Sequence, residues 1–520
     1  MPASNQTAET SSPWARALWP LTLVLLFGSA LAWRVDIARG LEHPGHADPA
    51  FYYDVARNLA ERGRLEIDYI WHFLSPPESL THPAGDYWMV FSSVLMALPL
   101  AFGGGLHSAV GMAILFGLLC GLATLMVARA LGASRLVAAC ACAFVLFEPN
   151  LFNFSTSPNA PIFYTAFVTA ALAFTARGAR VPRAYAWAGL CAALAHATRQ
   201  DGLFLAPTIA LAICIGPHDW AARRRALLMA AGAYLVAMAP VFLLNLVQLG
   251  APLPSSLSRT IFARSYEDIY AYSKPLDWQS YQAWGWDNIW RSKRAVLASN
   301  AVVLRSFFGW ALWALVAFGI VRILWRDRER RPVVLAASCL LAMQVFFYGV
   351  VGTAVATEGA FLKAGLALVP FLIVVGFDAL DRCLPWRWLA LAIMVGLGAP
   401  QVEDCVTRAR KKVDIHNDIG RQVAALQVAV EASRRPEDPE PVLMTRHPWE
   451  VHSSTGYGAV QVPNDDLETI LEVARRYGVT HIVLPVPRSG LSLRDAQADA
   501  RLELAATLEG SPVRVFRLVD

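Results

Sequence analysis

Apolar runs of membrane-span length alternate with short polar connections over the first four hundred residues of this chain. Such runs predict helices, because in hydrocarbon only a segment that satisfies its own backbone hydrogen bonds is stable. They fall at about 17–36, 106–128, 135–152, 159–176, 184–199, 202–216, 226–249, 301–324, 332–352, 360–377 and 386–401, which predicts eleven spans. A further apolar stretch at about 87–102 is short for a crossing and follows a proline–glycine turn. It reads as a helix lying along or dipping into the outer leaflet. The first run has the hydrophobicity of a signal peptide but no small-residue cleavage site, and reads as a retained helix.

Arginines fix the expected orientation. They recur at Arg129/Arg135, Arg177/Arg180/Arg183, Arg223/Arg224/Arg225, Arg326/Arg328/Arg330/Arg331 and Arg382/Arg387, and basic loops stay in the cytoplasm. Residues 1–16 are then cytoplasmic and 17–401 form the membrane bundle. A large first loop at 37–105 and all of 402–520 lie outside.

Beyond 401 the pattern becomes that of a small α/β domain. Residues 441–445, 480–485 and 513–519 read as strands. The D-D-L-E run at 465–468 predicts a helix capped by Asn464 or Asp465, apolar at Leu467, Ile470, Leu471 and Ala474, and stopped at Gly478. The fold class is thus an all-α polytopic bundle with a small external α/β C-terminal domain. The loop at 250–300, rich in Tyr, Trp, Arg and Lys, reads as interfacial helices with aromatic anchors.

Composition agrees. Of 520 residues 56% are apolar, and mean hydropathy is +0.41, above that of a soluble domain. The net charge of +5 belongs to the arginine loops and carries no nucleic-acid reading. The eight cysteines lie mostly inside apolar runs and read as buried hydrophobes. Arginine outnumbers lysine, a compositional mark of a GC-rich bacterial genome.

The first loop is too polar to be embedded and too rich in acids, histidines and aromatics to be a spacer. It carries H-P-G-H-A-D-P-A-F-Y-Y-D at 43–54 and T-H-P-A-G-D-Y-W at 81–88. Asp48, ahead of a proline and a helical pattern, reads either as a helix cap or as a general base. Tyr52, Asp54 and His82 share its loop and are candidate substrate contacts. His43, His46 and Asp48 form a possible set for a divalent metal (magnesium, manganese or zinc), although the spacing is weakly specific. No cofactor is otherwise required. Arg199 and Asp201, between two spans, form an ion pair or present the arginine to a phosphate. Glu148 at the outer end of a span, Glu358 and Lys363 about the tenth, and Arg259 and Arg264 in the aromatic loop complete the candidates.

At these residues the chain resembles the GT-C superfamily of membrane glycosyltransferases. The resemblance covers the whole layout. It rests on D-P-x-F-Y with A-R-N-L-x-x-x-G at 48–63, H-P-x-G at 82–85 and T-R-x-D-G-L at 198–203. The G-x-P-L-P at 250–254 is similar to arabinofuranosyltransferase-like members. The resemblance implies a polyprenyl-phosphate sugar donor, a glycan, lipid or protein acceptor, and Asp48 as the catalytic carboxylate. It implies single-sugar transfer with inversion at the periplasmic face. Two departures stand out: Asn159 occupies a place where many members carry an acid, and W-E-V-H at 449–452 replaces the W-W-D signature of oligosaccharyltransferases. The alternatives are en bloc oligosaccharide transfer and a non-catalytic lipid-sugar transporter or flippase.

Overall fold

A computed structural model describes residues 13–254, 256–485, 492–508 and 511–519. Each expected span falls on a helix or on a helix broken once. Among the described residues seven helices are long and apolar enough to cross a membrane. Two bent pairs raise the number to nine: Arg135–Leu146 with Pro149–Ser155, at 61°, and Ala360–Leu366 with Val369–Cys383, at 48°. The remaining expected spans lie on Ala184–Thr198 and Gln200–Cys214. At ~1.5 Å per residue each is about 22 Å long, shorter than a ~30 Å hydrocarbon core. By length and composition, seven to nine of the eleven expected crossings stand among the described residues.

The breaks are held by polar side chains. At the first, Arg34 is buried in the interior and donates from Nη2 to the Leu146 carbonyl at 2.7 Å and from Nε to Ser155 Oγ at 2.7 Å. A carbonyl released by a bend in hydrocarbon needs such a partner. The apolar stretch at 87–102 holds a ten-residue helix, Phe91–Leu100. It reaches about 15 Å, half of a bilayer core, and cannot cross alone.

The first loop is built on the helix Asp48–Arg62. Pro49 sits where a missing N–H costs nothing, and Gly63, at φ 69°, closes the helix with its N–H on the Leu59 carbonyl. The residue before it is unusual: Ala47 has φ 54° and is the one non-glycine with positive φ among the described residues. Such backbone costs about 1–3 kcal/mol and persists only where the surroundings enforce it.

Enforcement comes from a helix of 47 residues, Arg387–Ser433, which passes position 401 without a break. Asn417 accepts from the Glu42 N–H at 2.8 Å and donates to the Gly40 carbonyl at 2.7 Å. The His416 ring packs on Gly45, where an added Cβ would lie 2.3 Å from Cε1, at φ +115°. Gly45 is thus required twice, for its backbone and for its lack of a side chain.

The same helix delivers the chain to a six-stranded sheet. Its order is Tyr69–Ile70, Gly458–Gln461, Val442–Thr445, His481–Leu484, Arg514–Leu518 and Leu502–Thr507. The first four are parallel and the last two antiparallel to their neighbours. The edge strand comes from the first loop, with Tyr69 opposite Ala459. The expected 465–468 helix runs Leu467–Arg476, but its cap is Asp466, which accepts from Thr469 N at 2.9 Å. Asp465 instead accepts from Tyr272 N at 2.6 Å, anchoring the aromatic loop to this domain. That loop is a set of short helices with Trp278, Trp286 and Trp290 about half exposed.

Asp54 lies on the buried face of the loop helix, its carboxylate 3.4 Å from Arg57 and without a hydrogen bond. Burial pushes its pKa up to about 6, with the nearby His452 and Arg57 charges opposing. An acid raised from 3.8 favours the fold while protonated, so its contribution is complete below the unfolded value and fades as pH rises through about 6. Asp54→Asn should therefore match wild type near pH 4. By pH 7–8 it should gain up to about 3 kcal/mol relative to it, read as a melting-temperature difference that grows with pH. Gly45→Ala should lower the unfolding midpoint by an amount equivalent to about 1–3 kcal/mol. Adding His416→Ala should restore part of the loss by removing the collision while leaving the backbone strain.

Candidate functional site

Two cavities meet at one ion pair. The first, of about 450 Å³, has an apolar wall that includes Leu203, Phe204, Leu253, Ile261, Phe347 and Val355. Its polar end is formed by Asp48, Tyr52, Tyr87, Arg199, Asp201 and Lys363. The second, of about 430 Å³, is polar, lined among others by His46, Glu267, Lys412, Arg446 and His447. Asp48, Trp88, Tyr266, Glu358 and Lys363 line both.

The shared wall is the contact between Lys363 Nζ and Asp48 Oδ2, at 2.5 Å. Lys363 stands on the short limb of a broken helix, Ala360–Leu366, and Asp48 at the start of the loop helix. Burial alone would raise the Asp48 pKa. The Lys363 ammonium reverses this and holds the carboxyl below its usual range, with Arg199 and His46 adding to the effect. The helix has Ala47, not Asp48, at its cap position, and the Asp48 carboxylate is engaged by Lys363 instead. Its position is that of an ionised carboxylate facing a cavity, not of a cap.

Arg199 and Asp201 form the ion pair that their spacing allowed. Nε and Nη2 both meet Asp201 Oδ2, at 2.9 and 2.6 Å, and the Tyr348 hydroxyl donates to Oδ1. Tyr348 comes from a π-helical turn, Phe347–Val351, which also places Phe347 and Val351 on the apolar cavity. A wide turn of this kind disturbs helix periodicity and re-aims side chains, and π turns are frequent at functional sites. The arginine is thus oriented by a carboxylate while still lining the cavity.

Other candidates fall away from the cavities. Glu148 caps the helix Pro149–Ser155, accepting from Leu151 N at 2.7 Å. His82 contacts the Leu80 carbonyl through Nδ1 at 3.0 Å, in a strand paired with Ile67. Arg259 donates to the Leu74 carbonyl and Arg264 to the Ser280 carbonyl, the latter at 2.9 Å. Both brace the aromatic loop and neither lines either of these two cavities.

The set His43, His46 and Asp48 does not converge. Both ring nitrogens of His43 are engaged, Nε2 with Ser454 Oγ at 2.8 Å and Nδ1 accepting from Gly45 N at 3.1 Å. Asp48 is bound to Lys363. His46 instead meets residues from the far end of the chain, His447 and Glu450. Their pattern, H-P-W-E, gives no spacing to His46 that a linear reading could follow. Lys412, on the long helix, is a further cation of the polar cavity, and only the course of that helix brings it there. An aromatic group joins the parts: Trp71 stacks on Trp88 at 4.3 Å and Trp449 lies 5.6 Å from Trp71.

No family model and no curated protein sequence matches the chain. Solved structures do. ArnT from Cupriavidus metallidurans bound to undecaprenyl phosphate aligns with TM-score 0.60 and 16% identity, over 95% of this chain and 98% of that one. The archaeal oligosaccharyltransferase AglB from Archaeoglobus fulgidus, in complex with an inhibitory peptide and a dolichol-phosphate, gives TM-score 0.60 and 12% identity over 91% and 70%. The Archaeoglobus fulgidus oligosaccharyltransferase in complex with Zn and sulfate gives 0.56 and 14% over 88% and 67%. At such identities the likeness is one of fold, and it extends over the bundle, the first loop and the C-terminal sheet alike. The chain shares its fold with ArnT and with the oligosaccharyltransferase AglB.

Proposed function

We propose that this protein is an inverting glycosyltransferase of a bacterial inner membrane. It moves one sugar from a polyprenyl-phosphate carrier to an acceptor hydroxyl at the periplasmic face. The observation that carries the reading is the meeting of an apolar and a polar cavity at Asp48 and Lys363. A lipid-phosphate sugar has this same division: an apolar tail, an anionic joint and a polar head. The carrier-phosphate complexes of ArnT and AglB support it.

In this reading the carrier's tail enters between Leu203, Phe204 and Phe347, and its phosphate meets Lys363 and Arg199. The acceptor approaches through the polar cavity. Its oxygen attacks the anomeric carbon as the bond from that carbon to the phosphate oxygen breaks. The bond pair leaves with polyprenyl phosphate, and the acceptor's proton passes to Asp48. One displacement inverts the stereochemistry. Lys363 and Arg199 offset the charge that grows on the leaving phosphate, and the two cavities align the reactants. Lys363 also couples binding to chemistry: a phosphate that draws it away leaves Asp48 a stronger base. A 430 Å³ polar cavity is of a size that takes one small ligand, which favours single-sugar over en bloc transfer. The clustering of polar groups at one end of the bundle argues against a transporter, whose site lies near midplane.

The test is transfer by the purified full chain in nanodiscs from a panel of radiolabelled polyprenyl-phosphate monosaccharides. Wild type should release label to water or acceptor from at least one. Asp48→Asn should lower turnover by about a hundredfold or more while expression hardly changes. Lys363→Met should raise the donor KM by about ten- to a hundredfold. Release from none, or an Asp48→Asn variant near wild type, would remove the reading. Orientation is tested in intact cells: Glu437→Cys, on an exposed position, should react with an impermeant maleimide from outside. The exposed native Cys214 and Cys383 should react only after permeabilisation.

A further inference from the structure

The triad of His46, His447 and Glu450 lies beyond the transfer reading and does not depend on it. Its three donor atoms lie within 4.8 Å of one another. Glu450 is 2% exposed, at the start of the helix Pro448–Thr455. Its Oε1 meets His46 Nδ1 and lies 3.9 Å from His447 Nδ1. Its Oε2 is buried with no hydrogen-bond partner. A buried carboxylate oxygen left unpaired costs ~1–3 kcal/mol. A simple His46–Glu450 pair satisfies one oxygen only, and does not account for a second imidazole turned to the same carboxylate. Two imidazoles and one carboxylate are a zinc-type donor set. Around one ion the donors would stand roughly 3–3.5 Å apart, so a small rotation of His447 inward and a slight parting of His46 from Glu450 would close the set. Both histidines are about half exposed, 52% and 45%, which leaves a path for a metal to enter. Trp449 stands edge-on to His46 at 6.1 Å and limits its swing.

Position gives the set its use. His46 belongs to the first loop and its two partners to the C-terminal domain, 404 residues away in the case of Glu450. Between His46 and Asp48 lies the strained Ala47. Strain of that kind must be resisted at both ends, and Asp48 is held on its side by Lys363. We infer that His46, His447 and Glu450 bind a divalent transition-metal ion of the zinc class, which fastens the first loop to the C-terminal domain and fixes the segment that carries Asp48. The role is positional: the ion ties two parts of the chain and takes no part in sugar transfer.

Metal content is measured on the full chain in detergent, without any sugar substrate. Protein from zinc-supplemented growth should hold about one zinc per chain after desalting. Chelated protein titrated with Co²⁺ should develop the visible absorption of a low-symmetry, four- or five-coordinate ion. Glu450→Gln and His447→Ala should each weaken Zn²⁺ binding by about a hundredfold or more, since loss of supporting residues alone costs ~10–100-fold. His447→Cys should restore it, because a thiolate replaces an imidazole as ligand. Chelation should lower the melting temperature of wild type and leave that of His447→Ala unchanged. Asp48→Asn should keep the metal while losing transfer, so the two readings fail separately. Protein with no bound zinc and no cobalt spectrum would overturn the inference and leave a bare ion pair. So would metal retained equally by Glu450→Gln and His447→Ala.

Discussion

The seating of the His416 ring over Gly45 is the contact on which the site rests. A membrane helix and an extramembrane loop have no common lattice of backbone hydrogen bonds, so their relative position must come from side-chain fit. Here the fit is strict. A glycine offers the only surface that lets the ring approach, and Asn417 closes the same turn by bonding to Glu42 and Gly40. From that seat the loop can afford a disfavoured backbone at Ala47, and this sends His46 toward the C-terminal domain and Asp48 toward the cavities.

The charges at the cavity junction follow from the same placement. Asp48 and Lys363 come from elements that share no sequence neighbourhood, yet their contact defines where an apolar space ends and a polar one begins. A carboxylate buried there would be driven toward its neutral form, and the Lys363 ammonium holds it ionised instead. Arg199 repeats the device one layer deeper, with Asp201 and Tyr348 as its supports.

How much of this was legible in the sequence depended on range. Apolar periodicity gave the helices, and the first loop stood out because its polarity has no place in lipid. Asp48, Tyr52, Arg199, Asp201, Glu358 and Lys363 lie on cavity walls. Glu148, His82, Arg259 and Arg264 do not, because local demands claim them: a helix start, a strand and two carbonyls needing donors. A linear reading sees that a charged side chain is present near a span but not which backbone group lies nearest to it. The number of crossings was uncertain for a related reason, since a hydrophobic run reports composition and not whether its helix bends. The partners of His46 and the arrival of Lys412 depend on the course of one 47-residue helix through the expected domain boundary, and no short pattern encodes that course.

The strand Tyr69–Ile70 forms an edge of a sheet whose other members lie beyond residue 440. During synthesis the first loop emerges long before that sheet exists. It must wait, with its edge unpaired, while the whole bundle is inserted and the C-terminal segment follows. Pairing over such a sequence separation is slow, and exposed strand edges invite mispairing in the interval. The polar cavity beside Asp48 and Lys363 is complete only when the late segment supplies Lys412, Arg446 and His447. A chain halted before the final sheet would therefore hold its helices in the membrane yet lack the finished site, which makes assembly of that sheet the last checkpoint in the protein's maturation.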